Sequence, residues 1–329
     1  MKLKQIVALL ASSILLLTGC QTGGQQQKLT YTDALFDTVI SVQILDDADE
    51  NTLSGCEQIC KKYDLMFSRT NPDSEISKIN TAAGEFVEVS EDTVAIIKKG
   101  IHYSELSKGA FDITIGAVTN LWDFKSEEHI VPSDDIIHSA IQNVDYTNIV
   151  IDGNSVKLTN PDMIIDVGAL AKGYIADKLK EYLVENGIEH AIIDLGGNVL
   201  VIGTKPDGSD YNIGIQKPFD ETGVPYTSVK INDKSMVTTG IYQRYFEKDG
   251  EFYHHILDPE TGYPCQNNLY SVTIVTDSSS DADAISTTTF LLGYEKGLAF
   301  INSLDNVDAI FITNDMEIHY SDNFPYNKN

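Results

Sequence analysis

Positive charge is scarce in this chain of 329 residues, because 23 lysines and arginines stand against 49 aspartates and glutamates. The net charge is -26, and no run of basic residues interrupts the acidic surplus. Nucleic acid and anionic lipid headgroups are repelled by such a surface. A polyanionic ligand must therefore be met by a local set of hydrogen-bond donors, by a metal ion, or by both.

Cysteine is also rare, with four in the chain, and they form no pair of the zinc-binding kind. Cys56 and Cys60 fall in an apolar pattern with spacings of three and four residues, which predicts buried positions on a helix. Cysteines four residues apart on a helix are poorly oriented for bridging. We therefore expect both to be free thiols.

The chain has one early apolar run, from Ile6 to Leu17, and its 12 residues are too few for a membrane span, which needs about 20. Two lysines precede the run, as in a secretory signal peptide. The last residue of the run begins the sequence Leu17-Thr18-Gly19-Cys20, which resembles a bacterial lipobox. This resemblance implies that Cys20 becomes the acylated first residue of the mature protein. The alternative is a short transmembrane anchor.

Three segments follow from this interpretation: a signal peptide over residues 1–19, a flexible tether over 20–29 and a catalytic domain over 30–329. Loss of residues 1–19 leaves 21 basic against 49 acidic side chains. Two or three acyl chains, such as palmitate, would hold the protein stably on the extracytoplasmic face of the cell membrane. Long linkers and repeats of solenoid length are absent from the sequence, so one compact catalytic unit is expected.

Hydrophobic periodicity predicts an α+β fold, a mixed α/β sheet rather than a doubly wound one, because helices and strands do not alternate strictly. A strand is predicted first, over residues 31–45, and the cysteine-bearing helix follows it. The later predictions are a helix from after Ser90 to about Ser107, a hairpin in "NIVIDGNSVKLT", a helix over about 169–186, strand in "IEHAIIDLGGNVLVIG", mostly β structure over 211–275, a helix over about 281–300, and a closing strand in "DAIFIT".

The segment "IIDVGALAKGYIADKL" joins an apolar strand to a helix and combines three kinds of polar group. The first turn of such a helix presents unpaired N–H groups, which attract phosphate. Lys172 falls in that turn and Asp166 falls at the strand end, so the corner offers a cation and a carboxylate as well. A plain strand-to-helix turn with a surface lysine is the alternative.

The segment "DSSSDADAISTTTFLLG" places Asp283 and Thr287 four residues apart, on one helical face. Carboxylate and hydroxyl oxygens are the ligands that Mg2+ takes, with phosphate oxygens and water completing the shell. The alternative is a helix cap made by Ser280 or Asp281, with Thr287 bonded to the preceding turn.

Two adjacent histidines, His254 and His255, precede a turn sequence, Asp-Pro-Glu-Thr-Gly. A single histidine is usually structural or simply exposed. A histidine near a phosphate-binding corner can instead act as a general base, since its pKa lies near neutrality.

Taken together and in order, these segments resemble the ApbE-type flavin transferases, which move FMN from FAD onto a threonine of a target protein. The resemblance covers about residues 30–315. The matching segments are "GAFDITIGAVTNLW", "IDVGALAKGYIAD", "AIIDLGGNV", "GIQKP", "VTTGIYQRYF", "HHILDPETGYP" and "DADAISTTTFLLG". Two positions depart from the family pattern: Phe36-Asp37-Thr38 replaces Met-Gly-Thr, and Thr238-Thr239-Gly240 replaces Thr-Ser-Gly.

This resemblance implies a single catalytic domain related to the T-fold group, with FAD as substrate and Mg2+ as the activating metal. The residues that it assigns to FAD are Phe36, Ala110, Phe111, Asp112, Asp166, Lys172, Thr239, His255 and Leu257. The residues that it assigns to the metal are Ala169, through its backbone oxygen, Asp283 and Thr287, with Ser286 beside them. The candidates for the catalytic base are His255 and Asp283, which the sequence leaves unranked.

The expected acceptor is an extracytoplasmic redox subunit that carries a flavinylation motif around a threonine. Its identity, the oligomeric state of the enzyme and the choice between Mg2+ and Mn2+ stay open. Two other functions also stay open: an FAD hydrolase that forms FMN and AMP with water as acceptor, and a non-catalytic lipoprotein that captures flavin.

Overall fold

A computed structural model describes residues 29–124, 128–220, 222–322 and 324–325 of the chain. The predicted signal peptide, the acylation site at Cys20 and residues 20–28 of the predicted tether lie outside the described residues. Within the described ranges, none of the helices combines the length and the apolar character needed to cross a membrane.

The helices and strands of the described ranges are mixed along the chain. The α-helices are α1 (Glu50–Phe67), α2 (Glu75–Asn80), α3 (Glu91–Leu106), α4 (Gly116–Thr119), α5 (Asp134–Ile141), α6 (Gly168–Glu185) and α7 (Ser279–Ile301). The strands are β1 (Leu29–Leu35), β2 (Thr38–Ile44), β3 (Val87–Glu88), β4 (Ile149–Asp152), β5 (Ser155–Leu158), β6 (Ala191–Leu195), β7 (Asn198–Ile202), β8 (Tyr211–Gln216), β9 (Pro225–Ile231), β10 (Ser235–Gly240), β11 (Tyr245–Lys248), β12 (Glu251–His254), β13 (Leu269–Thr276), β14 (Asp308–Thr313) and β15 (Ile318–Tyr320).

An eight-stranded antiparallel sheet forms the centre of the fold, in the order β1-β2-β6-β7-β10-β13-β14-β15. Helices α6 and α7 cover one face, where their apolar side chains join those of the sheet in the main core. The β8–β9 hairpin covers part of the other face and forms a smaller core. Strand β13 lies between the two layers and is therefore buried along nearly its whole length. The predicted α+β class is confirmed.

Helices α6 and α7 approach each other closely at Gly173. A Cβ atom at this position would lie 2.2 Å from the carbonyl oxygen of Ser279, so only glycine fits. The carboxylate of Asp177, one turn further along α6, accepts hydrogen bonds from the backbone N–H groups of Ser279 (2.8 Å) and Ser280 (2.9 Å). One helix therefore caps the first turn of the other, which fixes their relative position.

Most of the predicted elements are confirmed, including the cysteine-bearing helix, in which Cys56 and Cys60 are buried free thiols. The single strand predicted over residues 31–45 is wrong, since β1 and β2 form a hairpin there. The turn consists of Phe36 and Asp37, with φ angles of 54° and 60°. Sequence patterns assign such left-handed turns to glycine and asparagine, and this turn has neither. The segment "DAIFIT" does not close the chain either, because β15 follows it.

We expect Gly173→Ala to lower the free energy of unfolding by about 1–3 kcal/mol, because the new methyl group would push α6 away from α7. Urea unfolding measures this loss. Val184→Ala, at an exposed position of the same helix, is the matched control and should change stability by no more than about 0.5 kcal/mol. Equal stability of the Gly173 variant and the wild type would contradict the close packing of the two helices.

Candidate active site

Asp166, the carboxylate predicted at the start of α6, forms an ion pair with Arg69. One oxygen of Asp166 accepts the N–H of Gly168 (2.9 Å), and the other pairs with Nε of Arg69 (3.0 Å). The backbone N–H of Asp166 donates to the carbonyl oxygen of Ile113 (2.7 Å). The segment around Asp112 therefore lies directly beside the beginning of α6.

The three residues 110–112 differ in how they are placed. Ala110 is partly exposed, whereas the ring of Phe111 belongs to the main core. The Asp112 carboxylate is buried and accepts bonds from the backbone N–H groups of Thr114 (2.8 Å) and Tyr146 (3.0 Å). Burial raises the pKa of Asp112, although these bonds oppose the rise. This side chain therefore holds the neighbouring loop in place.

A buried carboxylate and a lysine form the centre of the site. Asp283 of α7 is nearly inaccessible, and its Oδ1 lies 3.9 Å from Nζ of Lys172. Its Oδ2 accepts the backbone N–H of Gly173 (2.6 Å). Burial raises the pKa of Asp283, while the charge of Lys172 and this N–H oppose the rise. Nδ2 of Asn198 is itself buried without a hydrogen-bond partner among the described residues.

Three hydroxyl groups lie beside Asp283. Oγ1 of Thr239, on β10, lies 2.8 Å from Oγ of Ser286 and 3.3 Å from Oγ1 of Thr287. Oγ of Ser286 donates to the carbonyl oxygen of Asp283 (2.9 Å). Ser286 and Thr287 of α7 are thus both in contact with Thr239, and Ser286 is bonded to the backbone of Asp283.

Capping of α7 is performed by other residues, so it does not explain Asp283 or Thr287. The N-cap is Ser278, whose hydroxyl accepts the N–H of Asp281, and Asp281 itself binds Nζ of Lys99 (2.5 Å). The predicted alternative of a cap at Ser280 or Asp281 is wrong.

The donor set fits a hard cation such as Mg2+. In a regular helix the N–H of Gly173 would bond the carbonyl oxygen of Ala169. A carbonyl oxygen has two lone pairs, so the Ala169 oxygen has capacity for another partner besides this N–H. With Asp283 and Thr287 it makes an all-oxygen set. The described residues include no cluster of three histidine, cysteine or acidic side chains, so water or phosphate oxygens would have to supply the remaining ligands.

The two adjacent histidines have different environments. His254 is buried, its Nδ1 accepts the N–H of Ile256 (3.3 Å), and its Nε2 bonds the carbonyl oxygen of Cys265 (3.0 Å). Burial lowers the pKa of His254 to about 4. Both of its nitrogens are therefore used within the fold, as in a structural histidine.

His255 keeps one nitrogen available. Its backbone N–H and its Nδ1 both contact the carbonyl oxygen of Arg244, at 3.1 and 3.2 Å. A carbonyl oxygen only accepts, so we assign the hydrogen to Nδ1 and the lone pair to Nε2. Burial, together with the charges of Arg244 and Lys172, lowers the pKa of His255 to about 3. The imidazole is therefore neutral at pH 7, with Nε2 able to accept a proton.

Phe36 and Leu257, also predicted to contact FAD, pack in two different hydrophobic clusters. The backbone N–H of Phe36 donates to Asp64 (3.1 Å), and its ring packs against the main core. Leu257 belongs to a separate cluster with Trp122 and Val118. The indole N–H of Trp122 donates to the carbonyl oxygen of Gly262 (3.0 Å), so Trp122 is a core residue.

Sequence reasoning missed several residues of the site. Arg69 and Arg244 are the only arginines in the chain, and each contacts a predicted site residue. Because arginine is so rare in this acidic chain, the sequence could have indicated that both arginines lie at the site. Gly173 and Asp177 gave no such signal, because their roles depend on how α6 and α7 pack.

Comparison with known proteins places these features in a family. The model of the ApbE family matches residues 36–311. The chain is 38% identical to an FAD:protein FMN transferase of Klebsiella pneumoniae, over 82% of the chain and 84% of that protein. Its fold is similar to the crystal structure of the ApbE protein of Thermotoga maritima, with a TM-score of 0.84, 30% identity and coverage of 91% and 98%. The flavin transferase ApbE of Vibrio cholerae gives a TM-score of 0.83, 27% identity and coverage of 92% and 99%.

Proposed function

The chain belongs to the ApbE family, and on that premise we propose that it transfers the FMN half of FAD to a threonine hydroxyl of an acceptor protein and releases AMP. The observation that carries this proposal is the ion pair between Lys172 of α6 and the buried Asp283 of α7, which lies one helical turn before Thr287. On a chain with a net charge of -26, this corner supplies the cation and the donors that a diphosphate needs.

FAD is the substrate, and the first step exchanges one phosphorus–oxygen bond for another. The acceptor hydroxyl attacks the phosphorus on the riboflavin side of the diphosphate. The bond from that phosphorus to the bridging oxygen breaks, and AMP leaves with this oxygen. The acceptor is left with FMN in a phosphoester bond. In phosphoryl transfer the protein mainly positions the groups and neutralises their charge. Lys172 serves this purpose beside the diphosphate.

Magnesium is the proposed metal, because Asp283, Thr287 and the carbonyl oxygen of Ala169 are hard oxygen donors, with Ser286 alongside. When bound, such a cation neutralises negative charge on the diphosphate oxygens. Lys172 is close enough to Asp283 to balance part of its charge in the free enzyme. Gly173 holds the carboxylate in orientation through its N–H.

His255 is the proposed base, because its Nε2 is available, whereas both oxygens of Asp283 have partners. The proton of the acceptor hydroxyl passes to Nε2, and the imidazolium then releases it to solvent. The low pKa of His255 in the free enzyme has burial and two cations as its causes. A bound diphosphate adds negative charge nearby and so raises this pKa towards the working pH.

The decisive experiment mixes the purified protein with FAD, Mg2+ and a candidate extracytoplasmic redox subunit. Covalent flavin fluorescence on a denaturing gel, with one AMP released for each flavin attached, supports transfer. FMN and AMP formed at the same rate without an acceptor would identify a hydrolase. Unchanged FAD in every mixture would identify a flavin-capturing protein.

We also propose that acylation of Cys20 anchors the enzyme on the extracytoplasmic face of the membrane. The order of lysines, apolar run and Leu-Thr-Gly-Cys supports this. Cys20→Ser should abolish incorporation of labelled palmitate and release the protein from the membrane fraction. A variant that stays in the membrane fraction would point to a transmembrane anchor.

We expect Asp283→Asn to reduce transfer roughly 10²-fold or more and to remove its stimulation by Mg2+. The asparagine oxygen still accepts the Gly173 N–H, so the fold should be kept. Initial rates with increasing Mg2+, and with EDTA, measure the effect. Asp281→Asn is the matched control on the same helix and should retain the metal response. Full transfer by the Asp283 variant in EDTA would contradict the metal assignment.

We expect His255→Gln to lower kcat by about 10²-fold or more, with a much smaller effect on the affinity for FAD. In the wild type, kcat/KM should show no acid limb from His255 above about pH 4, because its pKa in the free enzyme is about 3. The acid limb in the pH profile of kcat should lie at higher pH, since bound diphosphate raises the pKa of His255. The variant should lack that limb. An unchanged limb, or equal losses in kcat and FAD affinity, would make His255 a binding residue.

A further inference from the structure

Asn198, on β7, carries an amide that is buried beside the proposed metal site. We propose that Asn198 is a positioning residue for Asp283: its amide N–H is directed at the carboxylate and holds it in the orientation that binds a cation. Ser279 and Ser235 fix the direction of the amide. This inference rests on the proposed function and adds the residues that orient the metal-binding carboxylate from the sheet.

The position of Asn198 suits an apolar residue. Side chains alternate between the two faces of β7, and Leu200 and Ile202, on the same face as Asn198, belong to the main core. Val237 lies opposite Asn198 on β10 and is also a core residue. Asn198 is 1% exposed. An amide at such a position costs free energy unless its polar atoms have partners.

Two buried hydroxyl groups fix the orientation of the amide. Oγ of Ser279, in the first turn of α7, donates to Oδ1 of Asn198 (2.7 Å). Oγ of Ser235, on β10, donates in turn to Oγ of Ser279 (2.9 Å). Both serines are fully buried. Since Ser279 occupies the oxygen of the amide, the nitrogen Nδ2 is turned away from Ser279.

The amide nitrogen lies on the side of Asp283. Ser279 and Asp283 are four residues apart on one face of α7, so the amide that Ser279 holds is about one helical turn from the carboxylate. Burial raises the pKa of Asp283, and the Asn198 side chain is among the groups that oppose this rise. Nδ2 has no hydrogen-bond partner among the described residues. Its N–H therefore acts on the carboxylate through its dipole, without a completed hydrogen bond.

The unpartnered N–H indicates a role in the site and not in the stability of the fold. Most buried polar atoms of folded proteins have a partner, and an exception calls for an explanation such as catalysis or a bound ion. Gly173 donates to the same carboxylate from α6 (2.6 Å), so N–H groups are directed at Asp283 from a helix and from the sheet. Carboxylates that bind metals are oriented by such donors, and loss of one typically lowers metal affinity about 10–100-fold.

The test measures binding of Mn2+ alone to the FAD-free protein, because Mn2+ takes the same oxygen ligands as Mg2+ and free Mn2+ is measured directly by EPR. Asn198→Leu removes the N–H and keeps a side chain of similar size. Thr288→Val is the matched control on α7. Thr288 is also fully buried, with a hydroxyl that has no partner among the described residues, but it lies five residues after Asp283 and so points to another side of the helix.

We expect Asn198→Leu to raise the Kd for Mn2+ about tenfold or more, and to raise the Mg2+ concentration for half-maximal transfer by a similar factor. The free energy of unfolding in urea should not fall, because an apolar side chain replaces a buried donor that lacks a partner. The KM for FAD at saturating Mg2+ should not change. Thr288→Val should match the wild type in Mn2+ binding.

Ser279→Ala tests how the amide is held. It frees the amide to rotate, so it should raise the Kd for Mn2+ by a smaller factor than Asn198→Leu does. In the Asn198→Leu background the same change should have no further effect, because Ser279 acts through Asn198. Additive losses in the double variant would overturn the role assigned to Ser279.

An unchanged Kd for Mn2+ in Asn198→Leu would overturn the proposal. So would a raised KM for FAD with unchanged Mn2+ binding, which would assign the amide to a diphosphate oxygen, and so would equal losses of Mn2+ affinity and stability, which would make Asn198 structural. A wild type that binds no Mn2+ would reject the metal site and this inference with it. A wild type that binds Mn2+ but transfers no FMN would reject the proposed function and leave the role of Asn198 standing.

Discussion

The hydrogen bond from the Gly173 N–H to Asp283 is the contact on which the site depends. It exists because α6 and α7 touch through backbone, which only a residue without a side chain allows. The bond orients a buried carboxylate, and Lys172, the preceding residue of α6, lies 3.9 Å from that carboxylate. The cap that Asp177 provides for α7 keeps the two helices in register. The positions of the Asp283 carboxylate and of Lys172 therefore both depend on the close contact between α6 and α7.

Electrostatics explains why the site needs this arrangement. A chain with 49 acidic side chains repels a dinucleotide, and salt screens this repulsion largely at separations beyond about 8 Å. The few cations close to the site then have a large effect, because they act over short distances. Lys172 lies beside Asp283, and the two arginines lie beside Asp166 and His255. Basic charge is scarce overall, and its distribution is the informative feature.

Local sequence patterns predicted much of the fold and part of the site. The periodic helices and the hairpin around Gly153 are set by nearby residues, so they could be predicted. The spacing of Asp283 and Thr287 on one helical face was readable for the same reason. The turn at Phe36 and Asp37 was not, because its strained angles are imposed by strand pairing. The roles of Gly173, Asp177 and Arg69 depend on contacts between distant segments, which no local pattern contains.

The residues that flank the β11–β12 ribbon hold His255 through backbone atoms. The carbonyl oxygen of Arg244, directly before β11, holds the imidazole of His255, directly after β12. Backbone hydrogen bonds are insensitive to which side chain a residue carries. Substitution of the Arg244 side chain therefore leaves in place the bond that orients the imidazole.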